Sequence, residues 1–271
     1  MSALSPVTLA TWNINSVRIR MKLLQRLAEE QQPDVICLQE TKVDDSMFPH
    51  APIEAMGYPY RVVNGRKGYH GVAILSRIPF EKTEALKWCE KDDGRHLMAK
   101  LQDGPEIHNF YIPAGGDVPD PAVNEKFAHK LQFLDEKRAY WAGQKDRRNS
   151  DPIVVVGDLN VAPHETDVWS HRQLLDVVSH TPAETERFKD ILADFEWIDV
   201  TRQFVPVEEK IFSWWSYRNR DWKLSDRGRR LDHVWASPAL KGAISSHAIL
   251  REARDWEKPS DHVPIVVKVE R

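Results

Sequence analysis

Short apolar segments of strand length occur along the whole chain and constrain its fold more than any other feature of the sequence. Each segment is bounded by polar or turn-forming residues, as buried strands usually are. We predict strands over residues 7–12, 35–39, 71–75, 96–101, 107–112, 153–157, 231–236 and 263–269. A chain with this pattern must pair many short strands, which indicates a fold built on β-sheet.

Helical segments lie between the strands but do not alternate strictly with them. We predict a helix that is capped by Ser16 and ends before Pro33, one with an apolar stripe through Phe127, Leu131 and Leu134, and one from the capping box at residues 181–184 to about Phe195. This order favours two sheets packed face to face with helices outside, an α/β class of the α+β type, over a Rossmann-like or barrel fold. Without a low-complexity linker, residues 1–271 are predicted to form one domain.

The two cysteines, Cys37 and Cys89, are too few for a disulfide framework. Cys37 lies in an apolar run, which predicts a buried reduced thiol and agrees with a reducing compartment. No apolar run is long enough to span a bilayer, and residues 1–10 lack the pattern of a signal peptide. We therefore expect a soluble, cytoplasmic protein without membrane contact. A monomer is expected as well, although these features do not bear on the oligomeric state.

Basic and aromatic residues are concentrated between Trp214 and His233, although the net charge of the chain is −3. The basic residues there are Arg218, Arg220, Lys223, Arg227, Arg229 and Arg230, interleaved with Trp214, Trp215, Tyr217 and Trp222. Such a patch suits the binding of a polyanion such as DNA, with aromatic faces for bases. The alternatives are a solvated loop and, for Trp214, a core position in a strand. Trp141 and Trp197 lie on apolar stripes and are predicted to be core.

Four polar clusters stand at the ends of predicted strands, and a fifth, Asp232 and His233, lies within the strand segment 231–236. They are Asn13 and Asn15, Glu40, Asp158 and Asn160, Asp232 and His233, and Asp261 and His262. Each alone has an ordinary structural explanation, such as an Asx-turn or a buried structural histidine. Together they supply carboxylates, amides and a histidine without zinc-type spacing, which suits Mg²⁺ or Mn²⁺. This inventory is what the hydrolysis of a phosphate ester requires.

Seven segments in register resemble the exonuclease III and AP-endonuclease branch of the endonuclease/exonuclease/phosphatase superfamily. They are TWNIN at 11–15, LQETK at 38–42, NFYIP at 109–113, GDLN at 157–160, FSWWSYR at 212–218, RLDH at 230–233 and SDH at 260–262. The resemblance spans residues 9–268. It implies a four-layered α/β sandwich, in which two mixed β-sheets are flanked by helices as in pancreatic DNase I.

The resemblance also implies an activity. It is a Mg²⁺-dependent DNA phosphodiester hydrolase of base-excision repair, in which Mn²⁺ can substitute and double-stranded DNA is bound at 3′ ends and abasic sites. The expected reactions are 3′-to-5′ exonuclease, AP-endonuclease and 3′-phosphatase cleavage. Two alternatives are a phosphoesterase of the same superfamily acting on a lipid or inositol phosphate headgroup, and a catalytically silent binding module. The full set of polar residues argues against the silent module, and the basic aromatic loop against the headgroup enzyme.

Roles follow from the resemblance residue by residue. Glu40 is implied as the principal metal ligand, and the wider metal set is Asn13, Asp158, Asn160 and Asp261. Asp232 is expected to pair with His262, and Asp158 to handle the proton of water or of the leaving oxygen. Asn13, Asn160 and Tyr111 are expected to position the phosphate.

Two positions depart from the family pattern. Asn15 stands where some relatives have aspartate, which leaves Glu40 with more of the metal affinity. Arg229 stands where relatives that cut abasic sites commonly have an apolar residue. The residues expected to contact DNA are Trp214, Arg218, Arg229 and Lys126. For Lys126 and its neighbour Lys130, a solvated helix face is the alternative.

Overall fold

The computed structural model describes residues 6–219 and 221–270. These residues form two six-stranded sheets and a two-stranded ladder. The strands are β1 Val7–Asn13, β2 Val35–Gln39, β3 Tyr60–Asn64, β4 Val72–Ser76, β5 Phe80–Glu84, β6 His96–Leu101, β7 Glu106–Tyr111, β8 Ile153–Asp158, β9 Ile198–Asp199, β10 Trp214–Trp215, β11 Gly228–Arg229, β12 Asp232–Ala236, β13 Ile244–Ile249 and β14 Ile265–Val269. The helices are α1 Met21–Gln31, α2 His50–Ala55, α3 Glu125–Ala142, α4 His171–Leu174, α5 Pro182–Phe195, α6 Val200–Phe204 and α7 Trp222–Ser225.

Both large sheets are mixed. The first has the order β13-β14-β1-β2-β4-β3, and the second has the order β5-β6-β7-β8-β12-β9. In each sheet one central pair is parallel, β1 with β2 and β7 with β8, while β14 and β12 run antiparallel to their neighbours. An antiparallel strand begins where its neighbour ends, so the ends of parallel pairs and the starts of β12 and β14 meet at one edge.

Alternating side chains of the strands build three apolar layers. The layer between the sheets contains Leu9, Val35, Ile74, Val154, Val156 and Val234. Ala10, Ile36 and Leu38 point the other way and pack against Leu24 and Leu27 of α1. Val155 and Trp235 pack against Phe133 of α3 and Phe188 of α5. This period of two along each strand produces the predicted four layers, helix–sheet–sheet–helix.

All eight predicted strands are present, with boundaries shifted by no more than two residues. The strands that the sequence pattern missed include β5 and β13, which lie at sheet edges and are largely exposed. An edge strand needs no apolar face on both sides, so its sequence lacks the run that marks a buried strand. Trp141 and Trp197 are buried core residues, as predicted. Cys37 and Cys89 are buried and unpaired.

The predicted start of the first helix is wrong. The helix begins at Met21, and Ser16 lies outside it with a left-handed backbone. The Ser16 amide donates to the Glu40 carbonyl at 2.7 Å, so this segment docks against the chain that follows β2 and cannot cap a helix. Helix α5 begins as predicted, because Thr181 and Glu184 form a capping box and Pro182 is the first residue of the helix. No helix within residues 6–219 and 221–270 has the length and apolar composition to cross a membrane.

Candidate active site

One edge of the two sheets gathers the polar residues that the sequence placed at strand ends. Asn13 and Asp158 end β1 and β8, Tyr111 ends β7, and Glu40 follows β2. Asp232 begins β12, and Asp261 and His262 precede β14. A cavity of about 240 Å³ lies at this edge and is lined by Glu40, Tyr111, Asp158, Asn160, Trp214, Arg229, Leu231, Asp261 and His262, among others.

The backbone around Asp158 has little freedom. Gly157 has φ +135°, and a Cβ there would lie 1.9 Å from the carbonyl oxygen of Phe110 on the parallel strand. Asp158 Oδ1 then accepts from the Asn160 amide at 3.0 Å, and Asn160 is left-handed. The Asx-turn alternative is therefore correct for the backbone. The same turn leaves Asp158 Oδ2 to contact other side chains of the site.

A chain of hydrogen bonds connects the two sheets across this edge. Tyr111 donates through its hydroxyl to Glu40 Oε1 at 2.8 Å. Asn13 Nδ2 donates to the same Glu40 oxygen at 3.0 Å and to Asp158 Oδ2 at 2.8 Å. Asp158 Oδ2 lies 3.6 Å from His262 Nε2. Four predicted site residues are thus linked to His262 by direct contacts.

The expected contact between His262 and Asp232 is present. His262 Nδ1 lies 2.8 Å from Asp232 Oδ2, and the Ser213 hydroxyl donates to that same oxygen at 2.7 Å. The His262 carbonyl accepts from the Trp12 indole at 3.1 Å, which fixes the backbone that carries the ring. All four of these residues are buried.

Burial and neighbouring charges shift the pKa values of Asp158 and His262 in opposite directions. Burial raises the pKa of Asp158 above its ordinary value, against the opposing charge of His262. At His262 burial would lower the pKa, but the carboxylates of Asp232 and Asp158 outweigh it and raise the pKa of the ring. The ring is therefore charged at neutral pH, and it can donate to Asp232 through Nδ1 and toward Asp158 through Nε2.

Tyr111 and Glu40 are held in opposite protonation states. Burial raises the pKa of Tyr111, and the charge of Glu40 raises it further, so the hydroxyl stays a donor. Burial would also raise the pKa of Glu40, but Lys42 and the hydrogen bond from Asn13 lower it below its ordinary value. Glu40 is thus ionised and offers oxygen atoms to a cation.

The oxygen atoms around Lys42 fit a hard cation. Lys42 Nζ lies 2.7 Å from Glu40 Oε2 and 2.6 Å from Asn15 Oδ1, so a positive charge already occupies this point. Asn15 Nδ2 donates to Asp261 Oδ1 at 3.0 Å, so Lys42 and Asn15 link a second carboxylate to Glu40. Carboxylate and amide oxygens are the ligands that Mg²⁺ prefers.

Asp158, Asp232 and His262 also have ligand atoms within 4.8 Å of one another. Both ring nitrogens of His262 already face carboxylates of this group. Asn160 Nδ2 donates to the Ile112 carbonyl at 2.9 Å, which leaves its Oδ1 for a metal or a phosphate group.

Of the four residues expected to contact DNA, three lie at or beside the pocket and Lys126 lies apart from it. Trp214 and Arg229 line the catalytic pocket and are half-buried, and Arg218 is exposed beside them. Trp214 Nε1 donates to Asp261 Oδ2 at 3.0 Å, which ties the indole to the candidate metal site. Lys126 is exposed at the start of α3 and lines a separate cavity with Asp117.

Several expectations for the basic aromatic loop are wrong. Trp215 and Trp222 are buried in the core, so neither offers a stacking face. Arg230 is fully buried between Asp167 and Asp199. Outside that loop, the solvated helix face suggested for Lys130 is also wrong. The Lys130 ammonium pairs with buried Glu184 and donates to the Asn160 carbonyl at 2.6 Å. Arg220 lies outside the described residues.

Sequence reasoning gave no role to Lys42 or Ser213, although both lie within segments quoted for the family resemblance. Lys42 contacts Glu40 and Ser213 contacts Asp232 only in the folded protein, so a single sequence does not show these contacts. Arg95 had no sequence signal at all. It donates to the Tyr111 carbonyl at 3.2 Å and lies over the Tyr111 ring, with the His70 Nε2 atom 2.9 Å from its other terminal nitrogen.

Comparison with known proteins identifies the family of the chain. The model of the "Endonuclease/Exonuclease/phosphatase family" matches residues 10–262. The chain is 32% identical over 273 residues to an exodeoxyribonuclease III of Haemophilus influenzae, covering 94% of this chain and 97% of that protein.

Two solved structures are similar over nearly the whole chain. An AP endonuclease from Archaeoglobus fulgidus matches with a TM-score of 0.90 and 33% identity, covering 98% of this chain and 100% of that one. A 3′ phosphatase from Neisseria, solved with a product DNA hairpin, matches with a TM-score of 0.88 and 28% identity, again covering 98% and 100%. These matches confirm the four-layered fold that the sequence resemblance implied.

Proposed function

The chain belongs to the endonuclease/exonuclease/phosphatase family, and from this membership we propose that it is a metal-dependent hydrolase of DNA phosphodiester bonds in base-excision repair. The observation that carries the proposal is the continuous set of contacts from Tyr111 through Glu40, Asn13 and Asp158 to His262 and Asp232. Glu40, Tyr111, Asp158 and His262 come from both sheets and line one pocket, while Asn13 and Asp232 contact them from outside its lining. A purely structural network has no need of a cavity beside Glu40, Asp158 and His262.

The residues of the pocket divide the chemistry between them. Asp158 handles the proton of the attacking water or of the leaving oxygen, since its raised pKa lets it both accept and donate near neutral pH. His262, kept charged by Asp232, stabilises negative charge on the phosphate as the transition state forms. Tyr111, Asn13 and Asn160 orient the phosphate group. Proton transfer by a positioned group contributes about 10²–10⁴-fold to the rate.

Glu40 and Asp261 would hold the metal, and Asn13, Asn15, Asp158 and Asn160 would complete the set of oxygen donors around it. The donor set is all oxygen, and the ammonium of Lys42 marks the point where positive charge is favoured. We propose Mg²⁺, for which Mn²⁺ substitutes. When bound, such an ion neutralises charge on the phosphate oxygens and lowers the pKa of water. Lys42 must then turn away from Glu40, which its length and partial exposure allow.

The substrate is double-stranded DNA, cleaved at 3′ ends and at abasic sites by a monomer of this chain. Support comes from the relatives named exodeoxyribonuclease III and AP endonuclease, and from the Neisseria 3′ phosphatase solved with DNA. Trp214, Arg218, Arg229 and Lys126 contact the DNA around the pocket. The one site thereby serves 3′-to-5′ exonuclease, AP-endonuclease and 3′-phosphatase reactions.

An end-labelled duplex with one abasic site tests the proposal, because it separates incision from 3′ trimming on one gel. With Mg²⁺ we expect both products, and with EDTA neither. Sphingomyelin and an inositol phosphate serve as control substrates and should remain intact. Full cleavage of DNA in EDTA, or hydrolysis of either control substrate in place of DNA, would overturn the proposed function.

A further inference from the structure

A second and larger cavity adjoins the catalytic pocket. Its volume is about 610 Å³, compared with about 240 Å³ for the catalytic pocket. Gly116, Val178, Trp214 and Arg229 line both cavities, so the two form one continuous depression. Ligand sites in proteins usually occupy about 300–1,000 Å³, a range that the second cavity reaches and the catalytic pocket does not.

Backbone pairing fixes this cavity relative to the catalytic histidine. Arg229 pairs with Trp214 in the β10–β11 ladder, and Trp214 forms a bridge with His262. On its other side Arg229 forms a bridge with Val168. Paired strands lie about 4.8 Å apart, so the Arg229 backbone is about 10 Å from that of His262. The cavity is thus held at a set distance from the reacting phosphate.

Three arginines, Arg218, Arg227 and Arg229, line the cavity. Within residues 6–219 and 221–270, none of the three forms an ion pair, although Asp117 also lies in the lining. Arg229 is fixed by hydrogen bonds from one terminal nitrogen to the Val178 carbonyl at 2.9 Å and the Ser179 hydroxyl at 2.7 Å. Three arginines against the single carboxylate of Asp117 give this concave surface an excess of positive charge, which favours a ligand that carries a phosphate.

Two tryptophans give the same cavity flat surfaces. The Arg227 guanidinium lies 4.7 Å from the ring centre of Trp169, and that of Arg229 lies 5.4 Å from the ring centre of Trp214. Each stack presents a planar group with N–H donors at its edge, which suits a heterocyclic base as well as a phosphate. A sugar without a base would leave these surfaces unused.

We propose that this cavity binds the base of the nucleotide whose 5′-phosphate lies in the catalytic pocket, so that the site as a whole takes a base-bearing deoxynucleoside 5′-phosphate. The inference rests on the proposed function and deepens it. Such a site retains the terminal nucleotide during 3′-to-5′ trimming, and it favours ends that carry a base over abasic ones. The released mononucleotide is then a product inhibitor.

Binding of 2′-deoxyguanosine 5′-monophosphate and of 2-deoxyribose 5-phosphate to the full-length protein tests the base site directly. We expect the mononucleotide to bind at least about tenfold more tightly in isothermal titration, because only it fills both cavities. Arg227→Ala should reduce that ratio toward one. Arg227 is exposed and makes no side-chain hydrogen bond to a described residue, so this variant should fold normally. Arg187→Ala, which removes a surface arginine paired with Asp135, is the matched control and should preserve the ratio.

Equal affinity for the two ligands, or a ratio that survives both Arg227→Ala and Arg229→Leu, would overturn the base site. Inorganic phosphate that binds as tightly as the mononucleotide would do the same. Titration is carried out without added metal and is independent of turnover. A protein that binds the mononucleotide selectively but leaves duplex DNA intact with Mg²⁺ would therefore contradict the proposed function alone.

Discussion

Replacing Arg230 by methionine should destabilise the protein strongly, although the residue belongs to the basic segment for which the sequence predicts an exposed DNA-binding patch. Its guanidinium is fully buried and makes paired hydrogen bonds to Asp167 at 2.8 and 2.9 Å and to Asp199 at 2.9 Å twice. Asp167 keeps a second partner, Arg202, at 2.5 Å. Methionine fills a similar volume, so the main effect is the loss of charge compensation for two carboxylates.

The size of the effect follows from the Asp199 carboxylate. Burial would raise its pKa, but Arg230 lowers it from 3.8 to about 2. A difference of nearly two units corresponds to about 2.5 kcal/mol at neutral pH. Asp167 adds to this, since its pKa is also lowered by Arg230 against burial. Breaking a buried ion pair from one side costs about 3–5 kcal/mol, and we expect the loss to lie in that range.

The dependence on pH has a definite sign. In the native protein both carboxylates have depressed pKa values, so their stabilising contribution is complete above about pH 4 and is lost as the pH falls toward 2. In Arg230→Met, burial without that cation raises the pKa of Asp199, and the pKa of Asp167 rises as well, although Arg202 still acts against the rise. The free energy of unfolding of the variant should then fall as the pH rises from 4 to 7. The difference in the free energy of unfolding between the native protein and the variant is largest at neutral pH.

Urea unfolding at pH 4.5 and pH 7 measures this gap. Arg187→Met, which breaks an exposed pair with Asp135, is the control and should lose less than about 1 kcal/mol at either pH. If Arg230→Met unfolds within about 1 kcal/mol of the native protein at pH 7, then the burial argument is wrong. A gap that does not narrow at pH 4.5 would show that the carboxylates are not the source of the loss.

Four further predictions concern the site itself. Asp158→Asn should lose most of its turnover while circular dichroism and DNA affinity stay unchanged, because the group acts on the transition state, and an unfolded variant would contradict this role. Glu40→Ala should raise the Mg²⁺ concentration needed for half-maximal cleavage, and an unchanged metal titration would remove Glu40 from the metal site. Arg218→Ala should flatten the log–log slope of DNA affinity against salt by about 0.9 if the side chain contacts one phosphate, and an identical slope would mean that it does not. Arg229→Leu should raise the ratio of abasic incision to 3′ trimming on one labelled duplex, since it replaces a cation by an apolar wall, and a constant ratio would exclude Arg229 from substrate selection.

The sequence predicted the convergence of polar residues at one sheet edge because strand ends are marked by abrupt changes in polarity. Asp158 and His262 were found in this way, and they lie 3.6 Å apart. The sequence could not show which charges of the basic loop are exposed. Arg229 ends β11 and Arg230 follows it directly, yet the Arg229 side chain lines a cavity and the Arg230 side chain is buried in the core.

Buried charges were missed for the same reason. Lys130 has the spacing of an ordinary polar helix position, and its partner Glu184 is 54 residues away in the chain. Only the packing of α3 against α5 brings the two together. A charge run or a helix face in a single sequence carries no information on a partner so distant, whereas the apolar period of a strand is local and can be read directly.

Gly157 narrows the evolutionary routes open to this site. Any side chain at that position would force apart the strands that end in Tyr111 and Asp158, so folding and catalysis would fail in the same mutational step. Neutral drift, which needs intermediates that still fold, cannot pass through the position. A gene library that randomises the pocket can therefore keep codon 157 fixed and lose no functional variant, while the neighbouring positions on the rim remain free to diversify.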